Sequence, residues 1–134
     1  DLLIRNAMEI LSKGIRIDAA DAEVRNMMAE ILMFMVEKKY DLPKDKCLGL
    51  AKGYLADSVR IDPKFAKTHA LIANLRLLEY FNGRTRAEKI SLLAEARSLY
   101  LHSFQLNPML RRQYGAQLER VEKLLGGANP RLKN

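Results

Sequence analysis

The chain has 134 residues, 49% hydrophobic and 29% charged, with 23 Lys and Arg against 16 Asp and Glu for a formal charge of +7. That length suits one domain able to bury most of its apolar surface, and the balance excludes a disordered or collagen-like chain. The longest apolar run, Ile31 to Val36, falls far short of the ~20 residues a bilayer span requires, so no membrane span is expected.

Leu, Ala, Met, Lys, Arg and Glu dominate, Trp is absent and β-branched clusters are few, which favours helix throughout. Apolar spacing and punctuation predict six helices. The first covers about Leu2 to Ile17, with Ile4, Ala7, Met8, Leu11 and Ile15 on one face. Asp18 or Asp21 caps the second, which runs to about Lys38 with Val24, Met28, Ile31, Leu32 and Met35 in step. Tyr40 to Pro43 reads as a loop and Lys44 to Ile61 as the third helix. Asp62-Pro63 supplies a cap acceptor and a proline at the first position of a fourth helix ending near Phe81. Asn82-Gly83-Arg84 is a turn, and Thr85 with Glu88 has capping-box spacing for a fifth helix ending near Leu106. Asn107-Pro108 repeats the earlier device and opens a sixth helix, expected to stop at Gly126-Gly127 and so to close a domain over 1–127, with 128–134 as a flexible tail.

The chain also repeats itself. Ala51, Leu55, Ser58 and Pro63 have the spacing of Ala96, Tyr100, Ser103 and Pro108, and Ala7, Leu11, Gly14 and Ala19 give a first copy. Pro63 lies 44 residues after Ala19 and 45 before Pro108. A small, a large and a second small residue on one helical face let neighbouring helices approach closely around a filled centre. A lone hairpin cannot bury its apolar faces, so about three such units stack.

This small–large–small–Pro pattern resembles the tetratricopeptide repeat, over roughly Leu2 to Leu125, with a period longer than the family's usual ~34 residues; HEAT-like arrays are similar in period. The resemblance implies an all-α, right-handed superhelix of antiparallel hairpins and a non-catalytic protein–protein interaction domain. It implies a groove lined by alternate helices, carried here by Glu23, Asn26, Glu30 and Met33, then Lys67, Ala70, Asn74 and Leu77, then Arg112 and Glu119. Asn26 and Asn74 would bond a peptide backbone, and Lys67 and Arg112 would meet carboxylates. The expected partner is a protein or peptide, with an acidic one favoured by the net charge. A second implication is a regulatory module of a longer bacterial transcription factor, because arrays of this sort resemble the effector halves of some winged-helix activators. The start at Asp1, inside a helix, fits a domain cut from a longer protein.

The remaining chemistry-bearing residues point to no reaction. His69 and His102 have no Cys, His or carboxylate at ligand spacing, so no metal or cofactor is expected. Cys47 is the only cysteine; it reads as a small buried hydrophobe, compatible with a cytoplasmic location. No oxyanion donors accompany it, and the chain is read as no enzyme. Gly49 to Gly53 lacks phosphate-loop spacing. Met27, Met28, Met33, Phe34 and Met35 are either core or an adaptable binding stripe. From Pro108 onward six basic residues (Arg111, Arg112, Arg120, Lys123, Arg131, Lys133) face two acidic ones. With no run of five to eight and one interleaved aromatic, Tyr114, they read as a solvated face in preference to a nucleic-acid surface, the third alternative.

Overall fold

The computed structural model describes residues 2–17, 20–38, 43–83 and 85–128. It is all-α: α1 (Leu2–Ile17), α2 (Ala22–Glu37), α3 (Lys44–Ile61), α4 (Ala66–Phe81), α5 (Arg86–Leu106), a 3-10 turn at Pro108–Leu110, and α6 (Arg111–Ala128). No strand occurs among the described residues. No helix of these residues is long and apolar enough to cross a membrane. The helices fall into two units, Asp1–Lys64 and Phe65–Asn134.

In the first unit α2 packs against both α1 and α3. Asp21 is its N-cap, and its side chain accepts from the Val24 N–H at 3.2 Å. Because α2 has a neighbour on each side, it buries more than one stripe: Met28, Ala29, Leu32, Met33 and Val36 are all inside. The expected stripe is thus broadened, with Met33 buried and Met35 half-buried. The hairpin to α3 is tied by polar links. The Ser58 hydroxyl donates to the Ala22 carbonyl at 3.1 Å, and Asp57 stands 4.0 Å from Arg25 and pairs with Arg60. On α1, Gly14 faces Val24 closely enough that an added Cβ would sit 3.6 Å from a valine methyl. A small residue is what lets that crossing be tight.

In the second unit α5 packs against α4 and α6, and α4 also reaches α6. The core joins Ala70, Ala73 and Leu77 to Leu93, Ala96, Tyr100 and Phe104, and these to Tyr114, Leu118, Val121 and Leu125. Arg76 braces α4 to α5, 2.6 Å from Glu79 and 2.9 Å from Glu95. Burial opposes its charge, but the two hydrogen-bonded carboxylates outweigh that and hold its pKa above the ordinary value. Gly83 takes φ +87°, the left-handed turn that favours glycine, and the Thr85–Glu88 capping box forms as expected.

Two boundaries differ from the sequence expectation. Asp62 and Pro63 do not open α4, which starts at Ala66 with Phe65 in extended backbone as its N-cap. Asp62 instead closes α3 and accepts from the Lys64 N–H at 3.2 Å. Asn107 plays the same part, accepting from the Met109 N–H at 3.1 Å before a 3-10 turn. The shared cause is the proline, which excludes helical backbone at the residue before it. At the other end α6 continues through Gly126 and Gly127 to Ala128. Glycine weakens a helix by only about 1 kcal/mol, and buried Leu125 anchors that last turn. Most of the expected tail, 129–134, lies outside the described residues, as do Ala19, Asp18, 39–42 and Arg84.

The aligned positions of the repeat are the buried ones in α3 and α5. Ala51, Ser58, Ala96, Tyr100 and Ser103 are all 0% exposed and Leu55 is 1%. In α1, Ala7, Leu11 and Gly14 are only half-buried.

Candidate functional site

The residues expected to line a groove have different fates. On α2, Asn26 and Met33 are buried, and Glu23 and Glu30 are half-buried. Glu23, Asn26 and Glu30 are each already engaged with other groups. On α4, Ala70 and Leu77 belong to the core against α5, and Lys67 is half-buried. Asn74 is half-buried, and its Oδ1 accepts from the hydroxyl of buried Tyr100. Burial, with the nearby Tyr114, pushes the Tyr100 phenol well above its ordinary pKa. Of the expected residues only Arg112 and Glu119, on α6, are exposed. Asn26, Met33 and Leu77 are buried in this structure.

Within the second unit a hollow is bordered by other residues. A groove of about 510 Å³ is lined by Leu101 of α5 and by Arg111, Gly115, Ala116, Leu118, Glu119 and Glu122 of α6. Its size falls inside the ~300–1,000 Å³ range of ligand clefts. The local reason is the pair Gly115-Ala116, whose small side chains leave a hollow beside buried Leu118. The rim carries both charges. Arg111 lies over the Phe104 ring at 4.8 Å, which fixes its guanidinium, and Glu122 stands 3.6 Å from Arg97. Glu119 is the one expected residue that lines the groove. The rest went unnoticed because a small pair in a helix signals close packing as readily as an open hollow.

The hairpin also brings together two residues that sequence spacing separates. The rings of His69 and His102 meet edge to face, 4.7 Å between centroids. No cluster of three or more metal-ligating side chains occurs among the described residues. Cys47 is buried and free. Two basic residues of the C-terminal excess sit on aromatic faces: Arg111 on Phe104, and Arg120 on Phe81 at 4.5 Å. In the methionine stripe Met28 and Met33 are core, whereas Met27 and Phe34 are exposed, with Lys38 over the Phe34 ring at 5.6 Å. Compared with known proteins, the chain matches no family model, no curated protein and no solved structure.

Proposed function

We propose that the chain is a protein-interaction domain of tetratricopeptide-like hairpins, without catalysis of its own, and that it holds a helical or peptide segment of a protein partner in the α5–α6 groove. The observation that carries this reading is the groove itself, an open hollow of mixed polarity lined by Leu101, Gly115, Ala116 and Leu118 together with Arg111, Glu119 and Glu122. Such a lining suits an amphipathic segment, with charges of both signs to orient it. The buried small–large–small positions of α3 and α5 support the repeat architecture on which the reading draws.

The test is selection of helix-forming peptides from a random library on the wild-type chain, followed by affinity measurement on two variants. Gly115→Glu puts a charged side chain into the hollow; the first added atom, Cβ, meets only Arg111 Cγ, at an ordinary contact distance of 3.6 Å. Lys52→Glu changes an exposed position on α3. Selected peptides should lose at least tenfold in affinity for Gly115→Glu and none for Lys52→Glu. Unchanged binding to Gly115→Glu would remove the groove from the account.

A further inference from the structure

The net charge is confined to one of the two units. Of the 23 basic and 16 acidic residues, 11 of each fall in Asp1–Lys64, so that unit is neutral. Phe65–Asn134 has the remaining 12 against five, the whole +7. Four of those five carboxylates are already used within the unit: Glu79 and Glu95 bind Arg76, Glu122 stands beside Arg97, and Glu88 closes the cap at Thr85. Lys89, Arg120 and Lys123 pair with no carboxylate among the described residues.

Two of these cations sit on rings that touch each other. Lys89 Nζ, in the first turn of α5, lies 5.4 Å from the centre of the Tyr80 ring. Tyr80 meets Phe81 edge to face at 4.9 Å, and the Arg120 guanidinium of α6 lies 4.5 Å from the centre of the Phe81 ring. Cations and rings thus form one connected strip over α5, α4 and α6, and its two stacked cations are at most about 15 Å apart. Lys123 extends it, one turn beyond Arg120 on the same face of α6. Phe81 is 47% exposed, and Arg120 and Lys123 are exposed. The sequence conceals the strip. The one aromatic among the C-terminal cations, Tyr114, is buried, and the ring under Arg120 comes from 39 residues earlier. None of these residues lines the α5–α6 groove.

We propose that this strip binds single-stranded nucleic acid. A single strand carries phosphates at short intervals and unpaired bases with free π faces, which are the complements of the cations and the rings. Stacking on Phe81 uses one face of the Arg120 guanidinium and leaves its in-plane N–H groups for a phosphate oxygen. The exposed part of Phe81 and the outer face of that guanidinium are stacking surfaces for a base. A duplex presents phosphates but keeps its base faces against one another. An acidic peptide or a lipid headgroup meets the cations and leaves the rings without a partner. Stacking and phosphate contacts carry no base-edge pattern, so binding is tolerant of sequence.

Fluorescence anisotropy of a labelled oligo(dT) or oligo(rU) of about 15 nucleotides, titrated with the 134-residue chain from about 50 to 300 mM salt, tests the proposal. Half-saturation should lie in the micromolar range at the low-salt end. Each phosphate met by Lys89, Arg120 or Lys123 contributes about 0.7 to the logarithmic salt slope, which should be about −2. Phe81→Leu keeps charge and bulk but removes the π face, so it should weaken binding by at least about fivefold with the slope unchanged. Arg120→Gln and Lys89→Gln should each reduce the slope by about 0.7. Lys52→Gln, at an exposed position on α3, should stay within about twofold of wild type. A duplex of the same length should bind at least about tenfold more weakly. Circular dichroism of the four variants checks that each is folded. No saturation by about 200 μM protein at low salt overturns the proposal, as does a duplex bound as tightly as the single strand. Phe81→Leu binding like wild type overturns it as well. So does tighter binding of poly-glutamate or of phosphatidylserine vesicles that the same variants abolish, because the occupant is then an acidic protein or a lipid surface.

Discussion

Replacing Tyr100 by Phe keeps the ring that fills the centre of the second unit and removes only the hydroxyl bonded to Asn74. At pH 7 the variant loses one hydrogen bond, a net cost of about 1 kcal/mol. Half-buried Asn74 can turn to water, which keeps the loss from growing further. The alkaline side behaves differently. Burial holds the folded phenol protonated well above its ordinary pKa of 10.0, whereas in the unfolded chain it ionises near 10. Below that pH both states are protonated and the contribution of the native hydroxyl is fully present. Above it the unfolded state releases the proton and the folded state does not, so wild-type stability falls with rising pH until the folded pKa is passed. The loss is about 0.8 kcal/mol at pH 10.5 and about 1.4 kcal/mol at pH 11. Phe has no such term, and every other titrating group is common to both proteins. The two stability curves should therefore cross near pH 10.7, with Tyr100→Phe the more stable protein at pH 11. Urea unfolding followed by circular dichroism at pH 7, 10, 10.5 and 11 measures this, and absorbance at 295 nm counts ionised phenols in the folded protein. A constant difference between the two proteins across that range would refute the argument, as would ionisation of all five tyrosines below pH 11 in the folded state.

Three further outcomes are expected. Asn74→Ala should cost about 1–3 kcal/mol in urea unfolding, because it leaves the buried Tyr100 hydroxyl without its acceptor; a loss under 0.5 kcal/mol would mean the phenol finds another partner. Ala51→Leu and Ala96→Leu should each destabilise by about 1–3 kcal/mol by overpacking fully buried sites, and near-wild-type unfolding of both would count against the repeat alignment. Met33→Lys, which puts an ammonium where the side chain is 5% exposed, should lower stability by several kcal/mol; a variant as stable as wild type would place Met33 at the surface.

Some of this architecture was readable without coordinates. The Thr85–Glu88 capping box, the Asn82-Gly83 turn and the ends of α1, α3 and α5 depend on residues a few positions apart. Sequence displays such local chemistry directly. The start of α4 was misread by three residues, because Asp62-Pro63 can either begin one helix or close the previous one. The choice depends on where Phe65 and Ala66 settle.

Site residues were much less legible. A lining carried over by resemblance assumes that a polar residue on the expected face is available. At Asn74 that availability depends on a partner 26 residues away, because its Oδ1 accepts from the Tyr100 hydroxyl. The His69–His102 contact spans 33 residues and is likewise invisible to spacing rules. Gly115-Ala116 is visible in the sequence as a small pair, but only the packing shows that it borders a hollow.

What the sequence determined by itself is therefore the all-helical character, the order of the helices, most of their ends, and the small residues buried in α3 and α5. Propensity, capping and 3.6-residue spacing act within one or two turns, and the chain records them residue by residue. What the tertiary structure decided is which faces are covered. Met33 is core because α2 lies between two neighbours, and Gly115 lines a hollow where α6 packs beside α5. Burial depends on residues distant in the chain, and no local pattern carries that information.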